Sequence, residues 1–160
     1  MSGNYANMFL YSSDPAQMYW EIKNNIFDSP TTYHIFQYPT NPGVDLSIDY
    51  NLYYPAMSST YFYAGGYKTF AQWQALTPSR DANSVVSNPL FVSSSDLHLQ
   101  SGSPARDAGA NVGLVSDYAG AMVPSGNAPD IGAYEYISSS TLPSPLPSPI
   151  PSPPSNIIIQ

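Results

Sequence analysis

A 26-residue repeat is the feature that most restricts the fold of this chain. Residues 22–27 read IKNNIF and residues 48–53 read IDYNLY, which aligns Ile22 with Ile48. Each segment alternates apolar and polar residues, the pattern of a half-buried strand. Periods of about 20–50 residues are typical of architectures in which one unit buries its apolar face against the next. The repeat therefore predicts short strands stacked one repeat apart.

Asn25 and Asn51 occupy the same place in the two repeats, each before an aliphatic residue and an aromatic residue. A buried Asn amide can bond both the backbone and the Asn of the next repeat, and Asn tolerates a left-handed bend. The alternative is that both are exposed turn residues. We predict structural roles for Asn25 and Asn51 as a short Asn ladder.

One short helix is predicted after the repeats. Residues 69–72 read TFAQ, a capping box with Thr69 as the N-cap and Gln72 at the third helical position. The helix should end before Pro78 and carry Phe70, Trp73 and Leu76 on one face.

The chain beyond the helix gives weaker signals. Residues 88–92 and 97–99 are typical of short strands between turns. The Gly-, Ala- and Asp-rich stretch 102–136 predicts irregular structure with isolated backbone bridges. Asp107, Asp117 and Asp130 lie beside or just before glycines, where an Asp side chain fixes a turn by accepting backbone amides. We predict structural roles for them, with a shared cation site as the alternative.

Charge and composition exclude several functions. The 160 residues include 4 Lys and Arg against 11 Asp and Glu, a net charge of -7. Phosphate backbones and anionic membranes are bound by clustered cations, so neither nucleic acid nor a membrane surface is expected as a partner. The absence of cysteine excludes disulfides and thiol nucleophiles. No stretch has the length of a membrane span. Residues 1–10 lack the features of a signal peptide, so we expect either no standard export signal or a start inside a longer protein.

A change of composition marks the C-terminal segment. Residues 138–155 contain only Ser, Thr, Pro, Leu and Ile, with seven prolines. Proline removes the amide donor and fixes φ, which favours extended polyproline II. We predict a disordered Pro-rich spacer over residues 138–160. A ligand for a proline-recognising domain is the alternative, although no basic residue flanks the prolines.

Three ordered motifs resemble a known family. Residues 96–109 read DLHLQSGSPARDAG, residues 88–91 read NPLF and residues 130–136 read DIGAYEY. Together they resemble the C-terminal end of right-handed parallel β-helix proteins of the pectate-lyase-like superfamily. The most similar subgroup is the choice-of-anchor type of surface protein. Arg106 departs from the pattern, since an aliphatic residue is usual there.

The resemblance implies an all-β fold and a division of the chain. Residues 1–55 would form the last two coils of the β-helix, and residues 56–137 a C-terminal cap region with one short helix that covers its open end. It also implies an extracellular or cell-surface location, as part of a longer chain.

Catalysis on such a scaffold needs residues that this chain supplies sparsely. A lyase needs a base and a cation such as calcium. Candidate bases are Lys23, Lys68 and Arg80, and candidate calcium ligands are Asp45 and Asp49. Ordinary surface, turn and strand-end roles explain these residues better, because calcium takes about six to eight oxygens. Structural roles are also expected for His34 and His98. We predict no catalytic residue and no cofactor, with calcium as the one candidate ion.

Tyrosine gives the remaining functional signal, with six Tyr between residues 50 and 67. Aromatic rings stack on sugars and tyrosyl hydroxyls bond sugar hydroxyls. Candidate glycan-binding residues are Tyr61, Tyr63, Tyr67 and Trp73. The alternative is that these rings fill the junction between the coils and the cap.

The sequence thus favours a non-catalytic terminal part of an extracellular β-helix protein that supports glycan binding or surface attachment. Its expected partner is a polysaccharide or a cell-surface glycan. The alternative is a fragment of a polysaccharide lyase or glycoside hydrolase whose active site lies upstream.

Overall fold

The computed structural model describes residues 6–11, 19–38, 45–55, 61–76 and 80–138. The described part is mostly strand with one short helix, which confirms the all-β prediction. The elements are β1 (Ala6–Leu10), β2 (Tyr19–Lys23), β3 (Ile26–Asp28), β4 (Tyr33–Gln37), β5 (Asp45–Asp49), β6 (Leu52–Tyr54), β7 (Phe62–Ala64), β8 (Tyr67–Lys68), α1 (Phe70–Gln74), β9 (Val85–Val86), β10 (Phe91–Ser93) and β11 (Asp96–Leu99).

The repeated strands pair in parallel and in the predicted register. Ile22 of β2 lies opposite Ile48 of β5, and Ile26 of β3 lies opposite Leu52 of β6. Both pairs have the offset of the sequence repeat. The hydrophobic pattern sets this register, because a slip of one residue would turn every buried side chain outward.

Parallel pairing extends further than the repeat indicates. β1, β4 and β7 form a second parallel set, with Met8 opposite Ile35 and Ile35 opposite Phe62, and its offset is one position longer than that of the repeat. β9 pairs in parallel with β6. We call these successive levels tiers: β1 to β3, then β4 to β6, then β7 and β9. The third tier lies beyond residue 55, so the structure shows one level more than the two predicted from the sequence.

The main core lies between the paired sheets. Leu10, Ile22, Phe27, Ile35, Leu46, Ile48, Tyr53, Phe62 and Trp73 are buried there. Helix α1 supplies Trp73, with Phe70 and Leu76 packed against the same cluster. Thr69 and Gln72 form the predicted capping box, each side chain accepting the other's backbone amide. The helix prediction is confirmed.

A second core forms on the other face of the β3–β6–β9 sheet. Successive strand residues point to opposite faces. Phe27, Tyr53 and Val86 contribute to the main core, while Ile26, Leu52 and Val85 contribute to a separate cluster. We call residues 87–137, which follow β9, the C-terminal region. Its residues Leu99, Ala105 and Ile131 bury that row. This region therefore lies against the side of the sheet, whereas the sequence predicted a cover over the end of the coils.

The C-terminal region itself has little regular structure. β10 and β11 form an antiparallel pair, and Ser116 and Met122 form an isolated bridge. Both features match the prediction of short strands followed by irregular chain. Position 109 has no room for a side chain, because a Cβ atom on Gly109 would lie 2.8 Å from the Pro129 carbonyl oxygen.

The predicted spacer, residues 138–160, lies outside the described residues except for Ser138. Within the described part of the chain, no helix has the length and apolar character needed to cross a bilayer.

Candidate functional site

Seven aromatic rings form a continuous cluster on the sheet of β1, β4, β7 and β8. We call this cluster the aromatic face. Phe9 lies opposite Phe36, and Phe36 opposite Tyr63, so the tiers stack these rings into one column. The members are Phe9, Tyr11, Tyr33, Phe36, Tyr38, Tyr63 and Tyr67, and each ring centroid lies 4.5 to 6.2 Å from at least one other.

The inner rings of the column stack on one another. Phe36 and Tyr63 are almost parallel, at 3° and 4.5 Å between centroids. Stacked aromatic pairs stabilise neighbouring strands by about 0.5–1.5 kcal/mol beyond their buried area. One face of each of these two rings is therefore already occupied by the other ring.

The accessible aromatic surface belongs to four other residues. Phe9 is 50%, Tyr11 57%, Tyr38 47% and Tyr67 64% exposed. Tyr11 meets Tyr38 edge to face at 5.5 Å, and Tyr67 meets Tyr63 in the same way at 5.8 Å. These four rings can contact a ligand without a rearrangement of the sheet.

The predicted glycan-binding residues divide into two groups. Tyr63 and Tyr67 belong to the aromatic face. Tyr61 is half-buried, with its ring 5.0 Å from the ring of buried His34. Trp73 is fully buried and donates its indole N–H to Asp81 at 2.7 Å. The prediction that the Trp73 ring contacts glycan is therefore wrong, because the ring is part of the core.

Sequence reasoning missed four members of the aromatic face that a second period would have shown. Phe9, Phe36 and Tyr63 follow one another at a constant spacing, and Tyr11 and Tyr38 share that spacing. The repeat at Ile22 and Ile48 is visible because an Ile, an Asn and an aliphatic–aromatic pair recur in the same order within six residues. The second period is carried by aromatic residues: Phe9 and Phe36 are identical, as are Tyr11 and Tyr38, while Tyr63 retains only the aromatic class.

Tyr33 anchors one side of the aromatic face. Its ring is buried and stacks on Tyr67 at 6.1 Å. Burial, together with a hydrogen bond to Tyr67, raises the pKa of Tyr33 to about 12.

The two predicted ladder residues are in contact. The backbone N–H and the side-chain amide of Asn25 both donate to Asn51 Oδ1, at 3.0 and 3.1 Å. The backbone N–H of Asn51 donates to Ser84 Oγ at 2.7 Å, so Ser84 takes the equivalent place in the third tier. Asn24 and Tyr50, just before the two ladder residues, have φ of 58° and 56°. The bend and the ladder thus recur together.

Asp81 is the polar centre of the main core, a role that sequence reasoning did not assign to it. The fully buried carboxylate accepts hydrogen bonds from the side chains of Tyr53, Trp73, Ser84 and Asn51, at 2.5 to 3.2 Å. Burial raises the pKa of Asp81, while these hydrogen bonds oppose the rise. The donors come from the second tier, the third tier and α1, so Asp81 ties the three together.

Two of the three candidate bases, Arg80 and Lys23, have partners within the protein. Arg80 is buried, lies 4.5 Å from the Trp73 ring centroid and donates to Gln37 Oε1 at 2.6 Å. Lys23 forms an ion pair with Glu21 at 2.5 Å. Lys68 lies at the end of β8, next to Tyr67.

The three predicted turn carboxylates hold the irregular C-terminal region together. Asp107 accepts the amides of residues 127 and 128, and Asp130 accepts those of residues 107 and 136. Asp117 accepts three amides, including that of Glu135, and Glu135 in turn accepts the amide of Asp130 at 2.9 Å. Each carboxylate is occupied by backbone N–H groups, which fits a structural role.

The candidate calcium ligands are separated along one strand. Asp45 and Asp49 lie at opposite ends of β5. The Asp49 carboxylate accepts the backbone N–H of Tyr50 and both the backbone and side-chain N–H of Asn83, at 2.7 to 2.9 Å. Across the described ranges, no three His, Asp or Glu side chains form a group that could hold a metal ion.

Comparisons of the chain with family models, with curated proteins and with solved structures give no match. The functional assignment therefore depends on the residues and geometry above.

Proposed function

We propose that this chain forms the terminal coils of a right-handed parallel β-helix in an extracellular surface protein, and that its aromatic face binds glycan. The strands that pair in parallel at nearly constant offsets along the chain support the β-helix proposal. The contact between Asn25 and Asn51 at equivalent bends supports it further. The motifs at residues 88–91, 96–109 and 130–136 are the basis for the surface-protein class.

Within this proposal the chain has a binding role and no catalytic one. The tiers carry the aromatic face, and the C-terminal region to residue 137 stabilises the β3–β6–β9 sheet from its other side. Residues 138–160 would separate the folded part from an attachment point.

The observation that carries the proposal is the exposure of Phe9, Tyr11, Tyr38 and Tyr67 on one sheet face. A cluster of exposed large rings costs solvation free energy, and such patches mark interaction sites. Tyrosine suits a sugar ligand because its ring packs on C–H groups while its hydroxyl bonds to sugar hydroxyls.

A glycan array with a matched pair of variants tests the proposal. Tyr67→Ala should lower binding about fivefold, since it removes an exposed ring contact worth about 1 kcal/mol. Tyr19→Ala is the control, because Tyr19 is 63% exposed but lies on β2, in a different sheet. Equal losses in both variants, or no glycan bound by the wild-type protein, would rule out the proposed face.

A further inference from the structure

We infer that the aromatic face selects uncharged glycan chains and rejects polyuronates and sulfated glycans. This inference rests on the proposed function and specifies the ligand class. It also separates the binding role from the lyase alternative, whose substrates carry uronate carboxylates.

The first support is the side-chain inventory of the sheet. Strands β1, β4, β7 and β8 read ANMFL, YHIFQ, FYA and YK, and Lys68 is their single side chain with a fixed charge. His34, the other basic side chain in these strands, is buried in the main core beneath the face. A polyanion is bound by several cations in a row, and these strands offer one.

The second support is the surrounding charge. Arg80 is the next cation along the chain, and it is buried with its guanidinium against Trp73 and Gln37. The whole chain carries a net charge of -7. A polyanion would therefore approach a protein of the same net sign, which slows association and weakens binding at low salt.

The third support is what the face does offer. Exposed Tyr11, Tyr38 and Tyr67 supply three rings with phenolic hydroxyl groups, and Phe9 supplies one ring without a hydroxyl. A neutral sugar ring presents C–H groups and hydroxyls, which match this combination. Because no charge is matched, affinity should come from ring contact and hydrogen bonds.

The decisive experiment is isothermal titration calorimetry of the full chain with four hexasaccharides. Three are neutral and consist of β-1,4-linked glucose, mannose or xylose, and the fourth is hexagalacturonate. We expect binding of at least one neutral probe and none of hexagalacturonate. Affinity for the neutral probe should change less than about twofold between about 50 and 500 mM salt.

Two variants sharpen the result. Lys68→Gln should leave neutral binding within about twofold, while Tyr11→Ala should lower it about fivefold. Hexagalacturonate binding that weakens with salt and is lost in Lys68→Gln would overturn the inference and leave glycan binding intact. Failure of all four probes, together with an empty glycan array, would overturn the proposed function as well.

Discussion

The tiers and the C-terminal region achieve stability in two different ways. In the tiers, strands one repeat apart bond backbone to backbone, and rows of apolar side chains fill the core. In residues 101–136 the backbone–backbone bonds are scattered outside any strand ladder, and carboxylates accept many of the remaining amides. Asn24 joins the two, since its carbonyl accepts the amide of Gly132 and its side-chain amide donates to Ala110.

The difference shows where structural information is stored. In a tier the free energy of folding is distributed over many similar backbone hydrogen bonds and apolar contacts, so no single contact dominates. The irregular region depends on individual carboxylates, each holding two or three amides in place. A single exchange of Asp for Asn should therefore matter more in the C-terminal region than a typical surface exchange in the tiers.

The largest effect is expected where the tiers use a carboxylate of their own. Asp81→Leu would leave the buried donors of Tyr53, Trp73 and Ser84 without this acceptor, and each unsatisfied donor costs about 1–3 kcal/mol. The Asn51 side-chain amide would lose one of its two acceptors. We expect a loss of roughly 4 kcal/mol in the free energy of unfolding, measured by urea denaturation. Glu21→Gln, an exposed change in β2, is the control, and a similar loss in both would contradict a special role for Asp81.

The second effect concerns pH and the tiers. Burial lowers the pKa of His34 from 6.5 to about 4. The folded state thus favours the neutral ring, so this contribution is fully present above pH 6.5 and is lost as the pH falls toward 4. The loss should approach about 3 kcal/mol, at about 1.36 kcal/mol for each pKa unit.

The measurement is the difference in unfolding free energy between the wild type and His34→Gln, taken from neutral pH down to about pH 4. His34→Phe serves as a second non-titrating variant. Each difference should shrink as the pH falls, and differences that stay constant with pH would refute the expectation.

The third effect isolates the C-terminal region. In Asp130→Asn, one of the two oxygens that accept the amides of Asp107 and Tyr136 becomes a donor. We expect a loss of about 2 kcal/mol. Hydrogen exchange should accelerate at residues 107 and 136 and remain slow in β2 and β5. Asn127→Ala, which removes an exposed side chain, is the control, and uniform acceleration through the chain would show that the two regions are one cooperative unit.

The smallest effect concerns α1, which lies in the chain between the two strands of the third tier, β7 and β9. Thr69→Ala removes the N-cap acceptor of the Gln72 amide and should cost about 1 kcal/mol. Thr69→Ser retains the hydroxyl and should cost less. Equal thermal shifts in the two variants would contradict the capping role.

Much of the fold could be predicted because short sequence patterns determine it. The repeat at Ile22 and Ile48, the capping box at Thr69 and the strands near Phe91 and Leu97 each follow from adjacent residues. The third tier could not be predicted in this way, since Val85 pairs with Leu52 across a longer interval than the repeat, and that interval includes a helix.

The candidate site was predicted only in part, for a related reason. The local density of tyrosine identified Tyr63 and Tyr67. It did not show that Trp73, in the same list of candidates, is fully buried whereas Tyr67 is exposed. Tyr11 and Tyr38 were missed because they lie outside the tyrosine-rich stretch between residues 50 and 67, and their shared spacing was not recognised. Strand pairing brings the two rings to 5.5 Å.

The sequence by itself determined the strand character, the register of the repeat, the helix cap and a surface chemistry with few charges. Those properties depend on side-chain period and composition, which are local. The tertiary structure alone decided which aromatic rings face solvent, where Asp81 is buried and which sheet face the C-terminal region covers. Each of those outcomes depends on which distant segments become neighbours, and that depends on the packing of the whole chain.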